Sequence, residues 1–519
     1  MSIEVTGIPA GYATPGDFLQ ISFGVGPSGI GTGQYYALLI GNLTSSGSAT
    51  TDTVVYGPSS SIPMQTEADV IALFGAGSEL HRMWRRFRRV NTTTPLYAIA
   101  SSDSGGTAGS TTVTIATTAT AGAVLRVWVG DESVDTAITS GNTASAIGDN
   151  VVISVNNMTH WPVTCGNSSG TLTFTSKNKT PRANEIRVRA AILFATGTIG
   201  TTVSPSNTST ALTSGATEDS WTTILSTILP TRYYYIVTPS TNVTGTNFDD
   251  LVTQVLSQAL PATGIRQRVI AGSVDTQANA STVAANSAVN TPRCQITQLY
   301  KSEWTAGEIA AQKAAVLALF EGERWAYNFR DFGKGTVGGV ETNTFWKIPA
   351  PFTQSAWPTP TSIETGLNNG IEPLGVTPTS GGTYETWSTT TKHKNGSNFD
   401  YRARSSHIVS VLDRWADELL QASSERLGAK NLISDPKNGE PVPDPNVVYP
   451  RIIKNLIFEK LNKYANVYFK DVETIKAAVE VVRDTDNNGR VGWRIPARVI
   501  DLLLQNAISV EDNSSAPSP

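Results

Sequence analysis

The sequence predicts a multidomain α+β protein: a doubly wound α/β core, a β-rich domain inserted into it, and a C-terminal α+β region. Three observations predict this. Strand-like and helix-like segments alternate from Tyr35 to Ala100 and again from about residue 215 to Phe320, the order of a mostly parallel sheet. Between them, residues 101–213 lose charge, gain Thr, Ser and Gly, and alternate apolar with polar residues. From Arg404 onward, long amphipathic helices return.

Residues 1–20 are punctuated by Gly and Pro and read as an extended arm. Residues 21–100 hold the first part of the core: a strand "YYALLI" ending at Gly41-Asn42, a helical stretch from about Glu67, and a strand "PLYAIA". In 101–213 the runs "TTVTI", "VLRVWV", "VVISVN", "TLTFTS" and "EIRVRAAILF" read as antiparallel strands, with one short helix between Thr143 and Asp149. Residues 214–391 continue the core. The helix "EDSWTTILSTIL" precedes the strand "YYYIVTP". Then "NFDDLVTQVLSQAL" is a helix with Asn247 as its N-cap and acids in its first turn, where the helix dipole favours them. Strands "IRQRVIAGSV" and "CQITQLY" and the helix "TAGEIAAQKAAVLALF" follow; Gly, Pro, Thr and Trp then dominate to about Lys392. Residues 392–506 carry the helices "SHIVSVLDRWADELLQASSERL" and "PRIIKNLIFEKLNKYANVY", and 507–519 read as a disordered tail.

Composition limits the function. The 39 Lys and Arg nearly balance 43 Asp and Glu, which argues against a global role on nucleic acid or a membrane surface. Charged residues are 16 %, below the usual quarter or so. Two cysteines, Cys165 and Cys294, make no disulfide framework. The opening "MSIEVTGIPAGYATPG" lacks the basic and apolar regions of a signal peptide, and no run approaches the ~18 apolar residues of a membrane span. The expectation is a protein made soluble in a cytoplasm.

The candidate chemical motifs each have a plainer reading. "DTDNNGRVGWRI", from Asp484, opens like a calcium loop, with oxygen side chains at positions 1, 3 and 5 and Gly at 6. Position 12, which needs a bidentate carboxylate, is Ile495, so Asn487-Asn488-Gly489 reads instead as a turn between two strands. The cluster "HRMWRRFRRV" suggests nucleic acid, but Leu80, Met83, Trp84 and Phe87 share one helix face. Ser78 can cap that helix, and its arginines read as a solvated or interface face. "FGAGSEL" lacks the Lys and Ser/Thr of a phosphate loop and reads as a helix–Gly–helix corner. His81, His160, His393 and His407 sit in no catalytic motif, and Asp249-Asp250 are explained by helix capping. Neither catalysis nor a metal is motivated.

Five segments in one order resemble the contractile tail sheath proteins of the Mu-like bacteriophage group. They are "IEVTGIPAGYATPGDFLQISF" with "ALLIGN"; "DVIALFGAGSELHRMWRRFRRVN" with "LYAI"; the insertion from "RVWVGDESVDTAITSG" to "GTLTFTSKNKTPRANEIRVR"; "GLNNGIEPLGV"; and "VVRDTDNNGRVGWRIPARVIDLLLQNAI". The resemblance implies a core of subtilisin-like topology without catalytic residues, an outward-facing insertion and a C-terminal sheath domain. It also implies a structural, non-enzymatic role: subunits stack as hexameric rings around a tail tube and contract to drive it through the host envelope. No cofactor is implied. The implied partners are further copies of the chain, the tail tube protein, and baseplate and tail terminator proteins, without direct nucleic-acid contact or membrane insertion. The implied location is the virion, after assembly in the host cytoplasm. Terminal arms in such sheaths add strands to neighbouring subunits, which makes Ile3, Val5, Val491, Trp493, Ile495 and Val499 linkage candidates. Arg451, Lys454, Lys460 and Lys463 lie along one helix, either to meet an acidic tube or as an ordinary solvated face. The alternatives are the sheath of a phage-tail-like bacteriocin or other injection system, a β-rich surface or adhesin protein, and a hydrolase.

Overall fold

The computed structural model describes residues 35–500 except 56–63, 65, 230, 244–246, 321–334, 338–339, 343–347, 378–381, 401–403, 429, 437–443, 486 and 488. The chain begins with β1 (Ala37–Asn42), β2 (Val54–Val55), α1 (Glu67–Phe74), α2 (Glu79–Val90) and β3 (Leu96–Ser101). Every residue of β1 is buried, which marks a central strand covered on both faces. Gly75 and Gly77 make the corner between α1 and α2 with φ of 82° and 77°. A Cβ on Gly77 would lie 2.1 Å from the Trp161 carbonyl oxygen, so this position needs glycine for both conformation and space. The Ser78 hydroxyl accepts from the His81 N–H at 3.1 Å and caps α2.

Between β3 and the next core helix, the chain builds β4 (Ser110–Ala116), β5 (Ala123–Val129), β6 (Glu132–Ile138), α3 (Ala144–Asn156), β7 (Val163–Ser168), β8 (Thr171–Ser176), β9 (Arg187–Leu193), β10 (Thr202–Ser204) and β11 (Thr210–Ala211). They form two four-stranded sheets, β10-β4-β8-β7 and β11-β9-β5-β6, with every pairing antiparallel. Alternate residues of β5 and β8 are buried, and their inward side chains share one core with α3. The run "VVISVN" is a correction: it is the second half of α3, not a strand. Ile147, Val151 and Val155 recur every four residues on the buried face, and the Thr143 hydroxyl caps the helix from Ala146 N at 3.2 Å. Helical packing therefore outweighs the strand preference of the β-branched residues.

The core resumes with α4 (Thr222–Ile228), β12 (Tyr235–Thr238), α5 (Phe248–Gln258), β13 (Arg268–Ser273), α6 (Gln277–Ala285), β14 (Cys294–Gln298) and α7 (Ala306–Phe320). A small hairpin of β15 (Gly335–Val337) and β16 (Val340–Thr342) precedes α8 (Pro360–Asn368) and β17 (Glu372–Pro373). The seven-stranded sheet runs β17-β14-β13-β12-β1-β3-β2, parallel throughout except for β2 at its edge. Ala37 and Leu39 face a layer that includes α2 and α7, while Leu38 and Ile40 face one formed by α4, α5 and α6. This is a doubly wound α/β sheet. Asn247 stands at the N-cap position of α5 but does not cap it. Its side chain instead accepts from Trp221 N at 2.9 Å and donates to the Asp219 carbonyl at 3.1 Å, joining α5 to the start of α4.

The remaining elements are the hairpins β18 (Gly375–Thr377)–β19 (Gly382–Tyr384) and β20 (Lys394–Asn395)–β21 (Asn398–Phe399), then α9 (Ser406–Leu427), the pair β22 (Asn431–Leu432)–β23 (Val447–Val448), α10 (Pro450–Lys463), α11 (Val472–Ala477), β24 (Glu480–Arg483) and β25 (Val491–Arg494). Trp415 and Leu419 of α9 and Ile453, Ile457 and Leu461 of α10 close a separate small core. No described helix is long and apolar enough to cross a membrane.

Between the two β-rich sheets and α7, Glu185 accepts a hydrogen bond from Ala306 N at 2.7 Å. Burial pushes its carboxyl up to about 8, above the ordinary 4.5. The protonated acid is therefore the form the fold favours, and stability falls as pH rises from the unfolded value through the folded one. Glu185→Gln, which keeps an acceptor for Ala306, is expected to gain on the wild type progressively between about pH 5 and about pH 9, read from urea midpoints.

Candidate functional site

In doubly wound sheets, ligands bind outside the carboxyl ends of the strands where the order reverses. Here that crevice lies at the ends of β1, β3 and β12, at Asn42, Ser101 and Thr238. The chain's own Arg182, from the short 3-10 turn Pro181–Glu185 before β9, fills it. Its Nε donates to Glu79 Oε1 at 2.8 Å, and its Nη2 donates to Glu79 Oε2 at 3.0 Å and to Asn42 Oδ1 at 2.6 Å. Nη1 pairs with Glu218, whose other oxygen accepts from Ser240 at 3.1 Å. Asn42 in turn donates from its backbone to Glu79 at 2.9 Å and from its side chain to Ser101. Burial alone would lower the guanidinium pKa, but Glu79 and Glu218 raise it.

The arginines of α2 correct another expectation. Arg82 and Arg86 are buried rather than solvated. Arg82 donates to Glu308 Oε2 at 2.9 Å; Arg86 donates to Glu308 Oε1 at 3.0 Å and to Asp131 at 2.8 Å, with its guanidinium 3.8 Å from the Trp304 ring centre. Arg85 pairs with Glu67 and Glu132. Glu132 also meets His160 at 2.5 Å; although burial opposes ionisation, His160 and Arg85 hold its carboxyl down to about 2. The apolar face read from the sequence is real, but α7 and the β-rich sheets cover the opposite face too, so each charge there needs a partner.

The histidines have structural partners. His81 sits between the Gly77 N–H and Glu67, His393 bonds the Thr391 carbonyl at 2.8 Å, and His407 meets Ser405 at 2.6 Å. Cys165 and Cys294 are separate buried thiols, each pushed up to about 12 by burial. Among the described residues, no group of three or more His, Cys, Asp and Glu is arranged to hold a metal ion. In the calcium-like stretch, Asp484 Oδ2 meets Arg490 Nε at 2.9 Å, and the Asp484 N–H donates to the Arg490 carbonyl at 2.9 Å. Arg490 thus takes the first carboxylate of the would-be loop, and the segment is a turn joining β24 to β25.

Those strands pair antiparallel, Val481 opposite Trp493 and Arg483 opposite Val491, and no third strand joins them among the described residues. Val491, Trp493 and Ile495 are half-buried against the core between α9 and α10. Val499 bridges Phe469. Ile3 and Val5 lie outside the described residues. Of the basic residues on α10, Lys460 and Lys463 both donate to Glu418 Oε1 of α9, at 2.9 and 3.0 Å, and the Tyr464 hydroxyl donates to Oε2 at 2.5 Å. Arg451 is exposed and bonds the Pro436 carbonyl at 3.2 Å; the Lys454 amine lies 5.7 Å from the Phe458 ring centre.

Sequence reasoning missed what ties α9 to the sheet. Buried Asp413 receives both Arg293 terminal nitrogens at 2.9 Å and the Tyr234 hydroxyl at 3.1 Å. One turn on, Asp417 receives Arg232 at 2.8 Å, Arg266 at 2.6 Å and the Tyr35 hydroxyl at 2.9 Å. Two acids four apart in "VLDRWADELL" gave the only local signal; their partners are scattered from 35 to 293.

These features define an α/β protein whose switch-point crevice is filled by its own Arg182 and whose described C-terminal residues include the short β24–β25 hairpin. Comparison with known proteins gives the more particular likeness. The Mu-like prophage FluMu tail sheath protein of Haemophilus influenzae is 27% identical over 190 residues, 36% of this chain. The match spans 38% of that relative's length. The resemblance drawn from the sequence motifs is thus met by a relative that is itself a Mu-like tail sheath protein. No protein-family model matches the chain. Among solved structures, a sheath tail protein of Desulfitobacterium hafniense is similar at TM-score 0.44 and 11% identity, over 93% of this chain and 99% of the other. A Listeria innocua sheath tail protein gives 0.43 and 12%, over 88% and 90%. The contracted helical sheath of the anti-feeding prophage gives 0.43 and 10%, over 97% and 99%. With these scores below 0.5, the functional reading rests on the sequence relative.

Replacing Arg182 by Met leaves Glu79 and Glu218 facing each other without their cation. The expected loss is about 3–5 kcal/mol of unfolding free energy by urea denaturation. A change under about 1 kcal/mol would show that the crevice does not depend on this residue.

Proposed function

We propose that this chain is the structural subunit of a contractile tail sheath. It polymerises as stacked hexameric rings around a tail tube and drives the tube through the host envelope when it contracts. The observation that carries the reading is the likeness to the FluMu tail sheath protein, in company with the five ordered motifs. The filled switch-point crevice agrees with it, because the usual ligand position of this fold class is occupied by Arg182.

In this reading the chain divides into an arm (1–20), a core (21–100 and 214–391) of subtilisin-like topology, an outer insertion (101–213), a sheath domain (392–506) and a tail (507–519). The arm, with Ile3 and Val5, adds a strand beside the β24–β25 hairpin of a neighbour. Main-chain hydrogen bonds then hold subunits together through a large movement. Val491, Trp493 and Ile495 turn their side chains to their own core, so their part in the linkage is through the backbone. Arg451, Lys454, Lys460 and Lys463 face the tube, the last two carrying Glu418 with them. Baseplate and tail terminator proteins bound the assembly, which forms in the host cytoplasm and functions in the virion. Stored energy lies in packing, the contracted lattice forming more interface than the extended one.

Negative-stain electron microscopy of the purified full chain, beside a version lacking residues 1–16, tests this. Long hollow tubes from the full chain, lost without the arm, are expected. Tubes from both would remove the arm from the linkage, and globular particles that do not assemble even on added tail tube would contradict the sheath role.

A further inference from the structure

Helix α7 carries a lysine at its centre. Ile309, Ala310, Ala314 and Leu317 around Lys313 are fully buried core residues, and the Lys313 side chain itself has no exposed surface. Two carboxylates enclose its amine. Nζ lies 2.7 Å from Glu372 Oε1 on β17 and in direct contact with Glu385 Oε1, just after β19. Their side chains are 0% and 3% exposed. Gln295 at 2.7 Å and Thr297 at 3.3 Å hold the second oxygen of Glu372, so its first oxygen is aimed at the amine.

An ammonium and two carboxylates are thus shut together inside the core, in direct contact and out of reach of water. The neutral form of such an amine is a nucleophile and the protonated form of a carboxyl is an electrophile, so the contact places the two reacting groups of an amide condensation together. Fixed contact removes the entropy of bringing the two together.

We propose that Lys313 and Glu385 condense into an intramolecular isopeptide bond, with Glu372 carrying the proton between them. The Lys313 ammonium gives a proton to Glu372, and the free amine attacks Cδ of protonated Glu385. Nζ–Cδ forms; the second amine proton and the proton held by Glu372 pass to the departing hydroxyl and the medium; the Cδ–OH bond breaks and water leaves. Overall, one ammonium and one carboxylate become an amide and a water, and Glu372 ends as the carboxylate it began. No oxidant, metal or nucleotide takes part. Glu372 is the anchored carboxylate and is regenerated, whereas Glu385, which among the described residues bonds Lys313 alone, is the one consumed. The bond fastens α7 to the segment after β19 and closes the intervening chain into a covalent loop. It stands whether or not the chain forms a sheath.

The test is the intact mass of the denatured full-length protein. After allowance for the initiator Met, the expected mass is one water, about 18 Da, below that of the sequence. A protease digest should yield a branched peptide joining Lys313 to Glu385. Lys313→Arg and Glu385→Ala are expected to restore the full mass, and Glu372→Gln to leave a fraction of molecules uncondensed. The full sequence mass in the wild type overturns the proposal, as does a lost water that maps to any other residue pair. Complete condensation in Glu372→Gln overturns the role given to Glu372.

Discussion

The constraint on which the rest of the structure depends is the burial of Arg182 at the carboxyl edge of the parallel sheet. A guanidinium in that position is tolerable only with its charge met, and Glu79, Glu218 and Asn42 meet it from three separate parts of the core. The pairing fixes where the β-rich insertion sits. Once it sits there, α2 lies between the insertion and α7, and its second face becomes interior. Arg82, Arg86 and Glu308 then form the matching set of buried charges that this enclosure requires, with Asp131 meeting Arg86 from the exposed rim.

The same logic appears in a second place with a different partner. Asp413 and Asp417 hold α9 to the sheet through Arg293, Arg232 and Arg266, which lie in the segments just before β14, β12 and β13. The two junctions differ from the C-terminal hairpin, whose contacts are a two-stranded ladder over half-buried side chains. Insertion, core and α9 are therefore bound by desolvated charge, while β24 and β25 are held to each other by main-chain pairing. For a subunit proposed to change neighbours while keeping its own shape, this is a suitable division: stiffness inside, backbone pairing at the edge.

Much of the fold was legible because it rests on periodicity. The central strand, the Ala-rich α7, the long α9 and the turn at Asn487 all follow from local pattern and turn chemistry. "VVISVN" was misread because alternating and helical spacing coincide over six residues, and only the buried partners of Ile147, Val151 and Val155 separate them. The site was far less legible. Arg182 sits in "NKTPRANEIR" with nothing to distinguish it, since its principal partner lies 103 residues earlier. The α2 arginines could be placed on a helix face but not beneath a second layer, because sequence does not say what covers a face. The linkage candidates at Ile3 and Val5 lie outside the described residues, and those at Val491, Trp493 and Ile495 turned out to pack inward.

The most direct measurement of this account is native-state amide hydrogen exchange across the insertion and the core. If Arg182 and the α2 charges bind the two into one unit, the slowest amides of β5 and β8 should open with the same free energy, and the same denaturant dependence, as those of β1 and β13. Exchange of β5 and β8 at a clearly lower free energy, with the core still protected, would show that the insertion opens by itself and would contradict the claim.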